Sequence, residues 1–143
     1  MAEITDDTGA DGKPANAAEA IDAIEAAYDF MLAYAAQGRE RETDDPMGIR
    51  IYLTRAVDGI DFLASAKPAD MGAGPGAGTE AAAALLAVLR EDGAKARSAI
   101  RFVLAQRAIG SQMIDNLNAS IHLRALLTDI FLIDETLNEV PLE

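Results

Sequence analysis

The stretch from Ile109 to Val140 constrains this chain most. It reads IGSQMIDNLNASIHLRALLTDIFLIDETLNEV, with no proline and one glycine near its start. No other part of the chain is both so long and so apolar. Met113, Ile114, Leu117 and Ile121 follow a spacing of three and four, which is one helical face. Leu123, Leu126, Leu127, Ile130, Phe131 and Leu137 do the same further on. The two stripes are out of phase. Leu117 to Ile121 turns about 40° around a helix, but Ile121 to Leu123 turns about 200°. We read the stretch as one long helix, apolar on most of its circumference. Such a helix is buried on most sides. It stands at the centre of a bundle, or half of it is covered by another chain. It is not a membrane span, because Asp115, Arg124, Asp129 and Asp134 interrupt it well short of the roughly 18 apolar residues that a span needs.

The rest of the chain supplies helices to pack against it. Residues 1–15 carry Asp6, Asp7, Gly9, Asp11, Gly12 and Pro14 and little to bury, so the composition predicts a mobile acidic tail. Residues 16–143 then form a single helical domain. Asn16 is a suitable N-cap with Glu19 three residues on, and Ile21, Ile24, Tyr28, Met31 and Ala35 make a core face. Asp45 followed by Pro46 predicts the start of a second helix, which runs to about Ala66. Its core face is Ile49, Leu53, Ala56, Ile60 and Leu63, flanked by Tyr52 and Phe62. Lys67 to Gly78 is a loop. Thr79 caps a third helix that extends to about Ala108, bent at Gly93, with a break there as the alternative. Gly110 and Ser111 turn the chain into the last helix. No segment alternates as a half-buried strand would. The expected fold is all-α, an antiparallel four-helix bundle.

Charge narrows the partners. The 143 residues hold 24 Asp and Glu against 12 Lys and Arg, a net charge of -12. Such a chain repels phosphate backbones and anionic lipid, so neither nucleic acid nor a membrane surface is expected. The absence of cysteine removes disulfides, thiolate zinc sites and thiol nucleophiles. The first residues are acidic and polar where a signal peptide is basic and then apolar, which reads as cytoplasmic.

Few residues suggest chemistry. Gly72, Gly74, Gly76 and Gly78 precede a helix start, a geometry that can cradle phosphate. A P-loop needs lysine before the Ser/Thr, and Gly78 stands there, so the stretch reads as a flexible connection. His122 is the only histidine. A bundle-borne histidine can accept a phosphoryl group, but phosphotransfer domains carry H-x-x-K-G, and here Leu123, Arg124 and Ala125 follow. His122 lies two helical turns, about 10 Å, from Asp115 or Asp129, too far for one ion to bridge. No serine has a nucleophile context. No cofactor or metal is called for, and catalysis is not expected.

Three functional readings remain. The first is an acidic interaction or regulatory protein that self-associates, a dimer being favoured, or docks on a protein partner. Leu123, Leu126, Leu127, Phe131 and Leu132 of the last helix would make the contact. The second is a sensory bundle holding a small molecule near Tyr28, Tyr52, Phe62 and His122. The third is a phosphotransfer or metal-dependent role at His122.

Overall fold

The computed structural model describes residues 12–71 and 80–137, and every element within them is helical. The helices are α1 (Ala17–Ala35), α2 (Ile49–Ala64), α3 (Glu80–Leu104), α4 (Ser111–Asn118) and α5 (Ile121–Leu137), with a 3-10 turn at Pro68–Met71 after α2. None of these is long and apolar enough to cross a membrane. The expected tail as far as residue 11, the loop glycines and the Thr79 cap lie outside the described residues.

Each boundary has a local cause. At the start of α1 the Asn16 side chain accepts from the Glu19 amide at 2.8 Å, and Glu19 Oε1 accepts from the Ala15 amide at 2.8 Å. The pair satisfies N–H groups that the first turn leaves unbonded. Gly38 follows the helix at φ +66°, a left-handed conformation that glycine adopts without strain. The second helix begins later than Asp45 and Pro46 predict. The Met47 amide donates to Asp45 Oδ1 at 2.9 Å and the Gly48 amide to the Asp45 carbonyl at 3.0 Å. Asp45–Gly48 is therefore a turn, and Ile49 is the first helical residue. The third helix is continuous through Gly93, which is buried, and ends at Leu104 rather than Ala108.

The long C-terminal helix of the sequence reading is two helices. The Ser120 amide donates to Leu117 in a tightened last turn, and Ser120 Oγ then accepts from the His122 amide at 3.3 Å. Ser120 thus caps α5. The break resolves the phase conflict of the two stripes. Ile114 and Leu117 face the core from α4; Leu123, Leu126, Leu127, Ile130 and Ile133 face it from α5. Ile121, assigned by spacing to the first stripe, is instead 74% exposed at the junction.

The first three helices run antiparallel in succession. Ala20 meets Gly59 while Phe30 stacks on Tyr52, so α1 and α2 point in opposite directions. Arg97 pairs with Asp61 while Arg50 reaches the Leu104 carbonyl, which orients α3 against α2. The last two helices cover the remaining side, with α5 chiefly on α3 and α4 on α1.

The α1–α2 approach is the closest. A Cβ on Gly59 would stand 2.6 Å from the Ala20 carbonyl oxygen. At Gly93 a Cβ would stand 3.2 Å from the Ile60 Cγ2 methyl, which can yield. Backbone cannot yield so cheaply. Gly59→Ala is expected to destabilise by about 1–3 kcal/mol. Gly93→Ala, gaining helix propensity, should stay within about 1 kcal/mol of the parent. Urea midpoints distinguish them, and an unchanged Gly59→Ala midpoint would contradict the close approach.

Candidate functional site

The expected contact surface on the last helix divides. Leu123, Leu126 and Leu127 are buried within this chain, in contact with its own core. Phe131 and Leu132 remain outside, 48% and 57% exposed. They sit side by side on the outward arc of α5, which the inward stripe leaves free of core contacts.

Of the four residues expected around a ligand, three pack on the core and one is exposed. Tyr28, Tyr52 and Phe62 are partly buried against the core. Tyr52 is engaged in its stack with Phe30, ring centroids 4.2 Å apart. Phe62 lies ten residues further along α2, about 15 Å away along the axis. His122 is exposed in the first turn of α5. Among the described residues, no three His, Asp or Glu side chains converge as a metal ion requires.

A groove appears where spacing gave no hint of one. The chain parts between α3 and α4, leaving a space of about 640 Å³. Ala99, Phe102 and Val103 line one wall, Met113 and Leu117 the other, with Glu40 the charged group at its edge. Phe102 stands 67% exposed on the rim. Sequence reasoning missed this site because it treated the last helix as straight. The signal available was Ser120, a helix-capping residue inside an apolar run.

The side of the groove formed by the α3–α4 connection is held by a polar clamp. Arg50 donates through Nε to Glu42 at 2.5 Å and through its terminal nitrogens to the carbonyls of Leu104 (2.8 Å) and Gln106 (2.7 Å). The other oxygen of Glu42 accepts from the Ile109 amide at 2.8 Å. The Tyr34 hydroxyl donates to the Ile109 carbonyl at 2.6 Å, and the Ser111 hydroxyl to the Tyr34 carbonyl at 2.7 Å. Burial pushes the Glu42 carboxyl up, but the Ile109 amide and the Arg50 guanidinium outweigh it and hold it near 2.

Two other acids behave oppositely. Asp129 on α5 is buried, 8% exposed, against Asp92 on α3. Burial first, then Asp92, raises it to about 7. Glu25 on α1 is raised to about 7 by burial and by Asp134 of α5, with Asp22 and Asp29 adding to the effect.

No protein-family model, curated protein or solved structure matches this chain.

The clamp sets an acid limit. A carboxyl held below its unfolded value of 4.5 contributes fully above that value and loses its contribution as pH falls toward 2. Glu42→Ala is expected to destabilise by about 1–3 kcal/mol at pH 7. The loss relative to the parent should shrink as pH falls from about 5 to 2. Thermal melts across that range check both statements.

Proposed function

We propose that this chain is an acidic helical-bundle protein whose function is association with a protein partner through the outward face of α5. In this reading it is cytoplasmic and regulatory, and a second copy of the chain is the favoured partner. The observation that carries the reading is the adjacent exposure of Phe131 and Leu132. A helix whose inward leucines already serve the core gains nothing for its own fold from two large apolar residues facing water. The reading also takes the arrangement as a four-helix bundle, with α4 and α5 together filling the fourth position. The antiparallel neighbours support this, as does the lack of contact between α1 and α3 among the described residues.

A second reading is favoured by the groove at the α3–α4 parting. Its apolar walls and single acidic edge suit a small apolar molecule with a cationic end. A phosphotransfer role at His122 ranks last, since no acid or base among the described residues is paired with its exposed ring.

Light scattering at several concentrations tests the first reading. The parent should have the mass of a dimer, and Leu132→Asp should be a folded monomer with the same circular dichroism. Leu126→Asp, by contrast, should unfold. A parent that is monomeric throughout and binds no hydrophobic dye would end the interaction reading.

A further inference from the structure

α5 packs through its buried leucines and isoleucines, and within that packing a carboxyl meets a carboxyl. Towards α3, Asp129 is more than nine-tenths buried, and its Oδ2 is sealed from solvent with no hydrogen-bond donor. The charged group it meets is another carboxyl, that of Asp92, next to Gly93 where α3 comes close to Leu126 of α5. Towards α1, Asp134 meets Glu25. Two carboxylates present acceptors only, so neither contact is a hydrogen bond until one partner carries a proton.

Basic groups nearby are directed elsewhere. The Arg90 guanidinium on α3 donates to the Ala66 carbonyl, and Lys95 is exposed. Arg124 on α5 is exposed. Of the other charged groups that neighbouring elements bring, α1 contributes Asp22 and Asp29 around Glu25, α4 carries Asp115, and the 3-10 turn carries Asp70. Asp115 and Asp70 are both exposed.

We propose that the C-terminal half of α5 is a proton-held latch, seated on α3 by a proton shared between the buried Asp129 and Asp92. When both acids ionise, the contact becomes a like-charge repulsion and the segment loosens. Because Asp129 sits above its unfolded value in the seated state, the latch is strongest below that value. It weakens as pH rises toward about 7. The latch stands on the burial of Asp129 and on its sealed, unpartnered Oδ2. Its consequence, that protonation regulates how Phe131 and Leu132 are presented, rests on the docking reading above.

Hydrogen exchange of the full chain between pH 5 and 8, corrected for intrinsic rates, tests it. Protection of α5 relative to α2 should fall by about tenfold per pH unit for each proton released between pH 5 and 7. Asp129→Asn supplies an amide donor to Asp92, so its α5 should keep at pH 8 most of the protection that the parent has at pH 5. Asp92→Asn should do the same from the other side, which covers the case in which one variant folds poorly. A parent whose relative α5 protection is independent of pH would overturn the latch. So would an Asp129 carboxyl that titrates by NMR at the ordinary midpoint. If exchange follows the expected course while the solution mass is the same at pH 5 and pH 8, the latch holds and its link to docking fails.

Discussion

The Arg50 guanidinium is the interaction on which most of the architecture depends. It sits at the start of α2, yet its hydrogen bonds terminate α3 by taking the Leu104 and Gln106 carbonyls that the helix leaves open. The Glu42 carboxylate that orients it also accepts the Ile109 amide and so fixes the chain just before α4. Tyr34 and Ser111 tie the same point to the end of α1. Four helix termini thus meet at one charged pair. The pair is fully hydrogen-bonded and partly solvated, so its desolvation is offset where a lone charge would not be. Gly110 belongs to the same junction: a Cβ there would lie 3.0 Å from the Glu40 carbonyl oxygen.

Away from that junction the balance of charge reverses. The clamp needs an ionised Glu42, whereas Asp129 and Glu25 are seated most easily when protonated. The two demands act in different pH ranges, one near 2 and the other near 7, and on different parts of the molecule. Acid weakens the attachment of α2 to the α3–α4 connection, and a rise toward neutral pH weakens the seating of Asp129 against α3. The net charge of -12 adds a diffuse repulsion that grows with pH in the same sense as the second effect.

The candidate site was only half legible. Phe131 and Leu132 belong to an apolar run that marked α5 as important, but the run alone did not separate them from Leu126 and Leu127. That separation depends on which arc of the helix α1 and α3 cover, and this is set by the rotation of α5 after the Ser120 cap. Tyr28, Tyr52 and Phe62 looked like pocket residues because they are aromatic. All three are partly buried against the core, and Tyr52 stacks on Phe30. The groove beside Phe102 was not legible at all, since it exists only where two helices diverge.

What the sequence determined by itself was local. Apolar spacing marked α1, α2 and α3, and the face Ile49, Leu53, Ala56, Ile60 and Leu63 is buried as its periodicity requires. The Asn16 cap follows from side-chain chemistry within one turn of chain. Tertiary structure decided the rest. The Ser120 break was decided by the need to present two out-of-phase stripes to one core. The end of α3 was decided by Arg50, far away in sequence. The facing of Asp129 and Asp92 was decided by helix register. Periodicity reports which side of a helix is apolar, but not which neighbour covers it, because that depends on how all the helices rotate and approach together.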